Sequence, residues 1–126
     1  MIALDTTFLI DYLDGVTATA KFLERQSAPI YYAPALVLYE VYEGAALYDG
    51  DSIEKAQTSL DWIEPLEFDH GVSREAAQIN AELLEAGQPI NHGDVLIAGT
   101  CRHHGAALVT RDEHFEAIDG LETVSY

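Results

Sequence analysis

Short apolar runs separated by helical patterns fill this sequence, and that alternation limits the possible folds more than any other feature. Ile2–Asp5, Ile30–Ala33, Pro65–Phe68, Ala107–Thr110 and Glu122–Ser125 read as strands. Two helices are expected in each of the first three intervals: Thr6–Leu13 and Thr17–Arg25, Pro34–Tyr48 and Ser52–Ile63, Ser73–Ala86 and Asp94–His104. Phe8, Leu9, Tyr12 and Leu13 share one face of the first helix, and Ile53, Ala56, Leu60 and Ile63 are in phase in the fourth. Gly15, Gly87 and Gly105 stand where helices should end. Strands joined by helical crossovers pair in parallel. The expectation is an α/β domain of three layers, a short and mainly parallel sheet flanked by helices. No repeat, low-complexity tract or linker divides the 126 residues, so one domain over 1–126 is expected. Sites in such sheets lie beyond the carboxyl ends of the strands. Asp5 and Asp112 stand at two such ends.

The charge balance narrows the function. Asp and Glu number 22 against 6 Lys and Arg, for a net charge of −16. A general basic surface for nucleic acid or anionic membrane is excluded. A phosphate-bearing substrate must be met locally, by a metal ion or a few placed donors. Acids decorate every element, and the only lysines are Lys21 and Lys55. Self-repulsion of such a chain shrinks at about 1 M salt, where the Debye length is ~3 Å. The composition resembles that of halophilic archaeal proteins; an acidic mesophilic protein is the alternative. The single cysteine, Cys101, leaves no internal disulfide and no multi-cysteine metal site. No apolar run approaches about 18 residues, so no membrane span is expected. The N-terminus lacks a basic, then apolar, leader pattern, and a cytoplasmic location is expected.

Four acids stand out. Glu40 lies on a helix that is apolar nearly all round, with Leu36, Val37, Gly44 and Leu47 on one side and Leu38, Tyr42 and Ala45 on the other. A carboxylate there is costly unless paired or bound to a cation; the alternative is that it snorkels to a surface or caps a backbone group. Glu43 sits about 60° further round the helix and either supports Glu40 or is simply solvated. Asp94 opens a helix beside Ile97, Ala98 and Cys101, where the dipole alone would favour an acid. Taken singly, Asp5 could cap the next helix and Asp112 could be a turn residue. Taken together, two acids on strand ends and two on adjoining helices form a set of hard oxygen donors suited to Mg²⁺ or Mn²⁺. Such ions activate water and stabilise in-line displacement at a phosphodiester. Without a cation, the acids would raise one another's pKa.

The segments LDTTFLIDYL (Leu4–Leu13), LYEVYEGA (Leu38–Ala45), GDVLIAGTCRHHGAALVTRDEHF (Gly93–Phe115) and IDGLETVSY (Ile118–Tyr126), in this order, resemble PIN domains. More narrowly they are similar to the VapC-type toxins of toxin–antitoxin pairs. The resemblance implies a PIN-like fold and a Mg²⁺- or Mn²⁺-dependent endoribonuclease acting on RNA. It also implies a VapB-like antitoxin that holds the enzyme inactive, and a homodimer. It assigns Asp5, Glu40, Asp94 and Asp112 to the metal and to catalysis, and Thr110 to the hydroxyl position of a TxD motif. The family often has Asn two residues after the first Asp; here Thr7 stands there, and its hydroxyl can still donate. A catalytically silent PIN-like binding module is the alternative from another class. Tyr39, Tyr42, Phe22 and Leu23 are candidates for a dimer surface. A partner that silences four carboxylates should bring an Arg or Lys to them.

Other chemistries find little support. His70, His92, His103, His104 and His114 form no zinc spacing. His114, close to Asp112, is either an RNA contact or a solvated loop residue. Arg111, next to Asp112, is either a phosphate contact or half of a surface ion pair. Tyr31, Tyr32, Tyr39, Tyr42 and Tyr48 suit core packing or a subunit interface better than base stacking. G-x-S-x-G, a P-loop and G-x-G-x-x-G are all missing. A receiver-like domain would need an acidic pair at the first strand and a late lysine, and a haloacid-type phosphatase would need D-x-D. Asp5 is followed by Thr6 and Thr7, and no lysine follows Lys55.

Overall fold

A computed structural model of the protein describes residues 1–48 and 52–126. In chain order the elements are β1 (Ile2–Leu4), α1 (Thr6–Leu13), α2 (Thr17–Gln26), β2 (Tyr31–Pro34), α3 (Ala35–Leu47), α4 (Ile53–Ser59), β3 (Ile63–Leu66), α5 (His70–Glu85), α6 (His92–His104), β4 (Ala107–Val109) and β5 (Thr123–Val124). A 3-10 helix over Glu113–Ala117 joins the last two strands. The five strands form one sheet in the order β3-β2-β1-β4-β5, and every neighbouring pair is parallel. This is the three-layer α/β arrangement that the alternation implies.

The strand order reverses at β1: the chain first runs outward through β2 and β3, then returns to β4 on the other side. The carboxyl ends of β1 and β4 therefore flank a switch point, where the crossovers on either side diverge and leave a crevice. Register places Leu4 opposite Val109, so Asp5 and Thr110 leave the sheet side by side. The ladder continues one step further, because the Asp5 N–H donates to the Val109 carbonyl at 3.0 Å. The core that fixes this register includes Ala3, Leu4, Phe8, Ile97, Leu108, Val109 and Phe115, all closed to solvent. Behind the sheet, α5 and α6 touch at Gly99, where an added Cβ would lie 2.7 Å from the Ala76 Cβ. Any larger residue there would force the two helices apart.

Several boundaries differ from the sequence expectation, each for a local reason. The expected helix Ser52–Ile63 stops at Ser59, with Leu60 at its C-cap. Ile63 opens β3, so its helical phase with Leu60 reflects burial on a strand. β3 then ends at Leu66 rather than Phe68. Pro65 lies within it, which an edge strand tolerates because one side of its backbone needs no partner. Pro34 ends β2 and stands at the N-cap of α3, outside the helix. α5 begins at His70 rather than Ser73, because the Asp69 carboxylate accepts the Val72 N–H. α6 begins two residues early, at His92, because Asn91 is its cap. The 3-10 turn after β4 was not expected; Asp112 caps it by accepting the His114 N–H. Among the described residues, no helix is long and apolar enough to cross a membrane.

Candidate active site

Asp5 is 3% exposed, which for a carboxylate demands compensation. It stands at the N-cap position of α1 but makes no capping bond. Its Oδ2 instead accepts the Thr110 hydroxyl at 2.6 Å and, more distantly, the Thr7 hydroxyl at 3.4 Å. Thr110 is thereby fully engaged, since its oxygen also accepts the Asp112 N–H at 3.0 Å. Burial pushes the Asp5 carboxyl up to about 6, the Thr110 hydroxyl opposes the shift, and the charges of Asp94 and Glu40 add to it.

Glu40 reaches the same crevice from α3. The Thr6 hydroxyl donates to its Oε1 at 2.8 Å, so α1 supplies one hydroxyl to Glu40 and the next to Asp5. Burial raises the Glu40 carboxyl above its ordinary value, and Asp94 and Glu43 raise it further. Asp94 lies in the first turn of α6, opposite the cap. Asn91 accepts the Asp94 N–H at 2.8 Å, and the Asn91 amide donates to the Asp94 carboxylate at 2.8 Å. Asn91, not Asp94, is the cap; Asp94 stands in the first turn, where the helix dipole also favours an acid. Its carboxyl is raised by burial and by Asp112. The mutual shifts link Asp5, Glu40, Asp94 and Asp112 in one electrostatic neighbourhood.

The guanidiniums of this region go elsewhere. Arg111 grips Asp11, with Nη1 and Nη2 at 3.1 and 3.2 Å from the two carboxylate oxygens. Of the two readings of Arg111, the structure therefore has the ion pair. The Tyr126 hydroxyl completes the cluster, donating to Asp11 at 2.6 Å. Asp11 is buried on α1 and sequence reasoning did not single it out. Its one signal was its place on the mostly apolar α1. Arg102 bridges Glu75 and Glu82 behind the sheet. Glu43 is exposed and accepts the Tyr39 hydroxyl at 2.6 Å. Cys101 is buried, which pushes its thiol up to about 12 and leaves it unsuited to ligation.

His114, which the sequence leaves as an RNA contact or a solvated loop residue, stands at the rim of the acidic group. Its Nδ1 lies 3.0 Å from Asp112 Oδ1, and one ligand atom each from Asp94, Asp112 and His114 fall within 4.8 Å of one another. The D-x-H spacing at Asp112 was the available signal. The donors of the crevice are thus carboxylate oxygens with one imidazole at the rim. That set fits a Mg²⁺- or Mn²⁺-type cation, which would offset the burial and, to a lesser degree, the mutual repulsion that raise the carboxyls of Asp5, Glu40 and Asp94.

Away from the acids, an apolar groove of about 610 Å³ runs between α3 and α4, lined by Leu38, Tyr39, Tyr42 and Ile53 among others. Tyr39 is 57% exposed there. Phe22 is 1% exposed and meets Phe8 edge-on at 5.6 Å, so it belongs to the core and not to a subunit surface. Tyr31 packs edge-on against Trp62, as core packing predicts.

Comparison with known proteins agrees with this layout. Residues 2–121 match the PIN domain family. A stretch of 62 residues, 48% of this chain, is 37% identical to the tRNA(fMet)-specific endonuclease VapC of Shigella flexneri; the match spans about half that relative's length, 47%. Among solved structures, VapBC2 from Rickettsia felis, bound to a DNA fragment from its promoter, superimposes with a TM-score of 0.85 at 23% identity, over 99% of this chain and 98% of that one. FitAcB from Neisseria gonorrhoeae gives a TM-score of 0.80 at 26% identity, over 98% and 96%. With a family match over nearly its whole length and the same fold in these structures, the chain belongs to the PIN-domain family.

Proposed function

We propose that this protein is a divalent-metal-dependent endoribonuclease, the toxin of a type II toxin–antitoxin pair, acting in the cytoplasm. The observation that carries the reading is the convergence of Asp5, Glu40, Asp94 and Asp112 from four separate elements onto one crevice, held by hydroxyls and an amide rather than by Arg or Lys. These four residues would hold one or two Mg²⁺ or Mn²⁺ ions. A divalent ion held there would supply polarisation of a water molecule and positive charge to offset the scissile phosphate. The chain's own residues set the geometry. Thr110 fixes the Asp5 carboxylate and ties it to the backbone of Asp112. Thr6 orients Glu40, and Asn91 orients Asp94. Thr7, in place of the family's Asn, supports Asp5.

A VapB-like antitoxin is the natural partner. It would insert an Arg or Lys among the four acids, where a guanidinium fork can pair a carboxylate and compete with the cation. Homodimerisation would use the exposed apolar side of α3, where Tyr39 and Tyr42 lie. The test is cleavage of an RNA panel that includes initiator tRNA, prompted by the Shigella flexneri relative, with Mn²⁺ or Mg²⁺ and with EDTA. Molar KCl suits the halophile-like charge. Metal-dependent cleavage that Asp94→Asn loses is the expected result. Binding of RNA without cleavage of any member would favour the catalytically silent module.

A further inference from the structure

Resting on the metal reading above, we infer that His114 is a ligand of this site, and that its nitrogen makes the site discriminate in favour of Mn²⁺ over Mg²⁺. Three observations carry this. First, the position of the imidazole is not set by packing: its side chain is 68% exposed, yet its ring is turned back onto Asp112 at 3.0 Å. Second, the local backbone enforces that return. Asp112 caps the 3-10 turn by accepting the His114 N–H at 2.9 Å, which holds the ring and the carboxylate on the same side of a two-residue spacing. Third, the ring nitrogen forms a compact donor group with Asp94 and Asp112, all within 4.8 Å of one another. Two donors on one ion at about 2.1 Å stand at most ~4.2 Å apart. Side-chain rotation of well under 1 Å closes the difference, and His114 is free of core contacts that would resist it.

The consequence follows from ligand chemistry. Mg²⁺ is a hard ion that takes oxygen and keeps its waters, so an imidazole offers it little. Mn²⁺ accepts carboxylate and imidazole together, and later first-row ions bind nitrogen more tightly still. A site of carboxylates alone would separate the two ions weakly. Adding His114 should therefore raise affinity for Mn²⁺ selectively. It should raise that for Co²⁺ more.

The experiment compares wild type with His114→Ala and His114→Gln, using Mn²⁺, Mg²⁺ and Co²⁺ as chloride salts. Affinities come from calorimetry. Pulsed electron paramagnetic resonance of bound Mn²⁺ reports nitrogen ligation directly. The expected result is a ¹⁴N modulation in wild type that both variants lose. It should come with an approximately tenfold loss of Mn²⁺ affinity, a larger loss for Co²⁺, and little change for Mg²⁺. Loss of Mn²⁺ and Mg²⁺ affinity by equal factors, without ¹⁴N modulation in wild type, would overturn the inference while keeping the metal site: His114 would then merely orient Asp112. Failure of wild type to bind any of the three ions would overturn the metal reading, and His114 as a ligand with it.

Discussion

On α5, Glu75 and Glu82 face Arg102 of α6, whose Nε lies 2.6 Å from one carboxylate and whose Nη1 lies 3.2 Å from the other. The same guanidinium donates to the Asp119 carbonyl at 2.9 Å, so one side chain ties two helices and a loop together. The Arg102 bond holds Glu82 below its ordinary value. At the other end of α6, Asp5, Glu40 and Asp94 also lie close together, but their partners are Thr110, Thr6 and Asn91, and all three carboxyls are pushed up. Both regions concentrate negative charge on a chain with few cations. One is closed by a cation within the fold; the other is finished with neutral donors. Neutral hydrogen bonds position a carboxylate without discharging it, so the crevice keeps an appetite for an external cation that the Arg102 cluster has lost.

That contrast can be broken most sharply at Asp94. Asp94→Asn is expected to lower RNA cleavage by at least about a hundredfold, while the melting temperature of the metal-free protein stays equal or rises, because the substitution removes a repelling charge and keeps the Asn91 cap. Cleavage rates and thermal melts in EDTA check both halves; a sharp loss of stability would show that Asp94 is structural after all. The mirror experiment is Arg102→Ala. It should cost roughly 2 kcal/mol, since it removes a largely buried guanidinium together with its hydrogen bonds to the Asp119 carbonyl and to two partly exposed carboxylates, yet leave Mn²⁺ affinity unchanged. Denaturant melts and calorimetry decide, and a fall in Mn²⁺ affinity would mean that the two regions are coupled through α6.

A more gradual effect is the pH dependence of the metal-free protein. Asp5 titrates at about 6 in the fold against an ordinary 3.8. Below pH 4 both folded and unfolded chains hold the proton. Between pH 4 and 6 the unfolded chain releases it first, so stability falls as pH rises and levels off above 6. The loss should be on the order of 2 kcal/mol, with Glu40 and Asp94 shifting in the same direction. Saturating Mn²⁺ should reverse the slope, because the ion binds the ionised acids. Urea melts across this range, with and without Mn²⁺, supply the check; a flat metal-free profile would mean that the crevice is better solvated than its burial implies.

The sequence made some of this plain and hid the rest for definite reasons. Parallel strands and their order of appearance follow from apolar runs and helical periods, which local composition encodes. Glu40 was conspicuous because its helix is apolar nearly all round, and Asp5 and Asp112 because they follow strands. What stayed hidden are interactions set by register. The Thr110 bond to Asp5 spans 105 positions, and the Asp11–Arg111 pair spans 100; neither leaves a local signature. Ile63 was misassigned because burial at one helical period looks the same on a strand that happens to follow. The 3-10 turn at Glu113 is too short for periodicity to register, and with it went the orientation of His114.

The pairing of β1 with β4 has a consequence for how the molecule comes into being. Residues 2–4 are made early and wait for residues 107–109, roughly a hundred positions later on the ribosome, before the central pair can close. Nothing held together by that pair can exist on the nascent chain: Asp5 has no hydroxyl to hold it until Thr110 emerges, and Asp112 follows later still. A chain halted in translation anywhere before this point carries at most three of the four acids and no crevice to put them in. For a protein whose crevice is proposed to cut RNA, this order of synthesis keeps an incomplete chain from acting while it is still attached to the machinery that makes it.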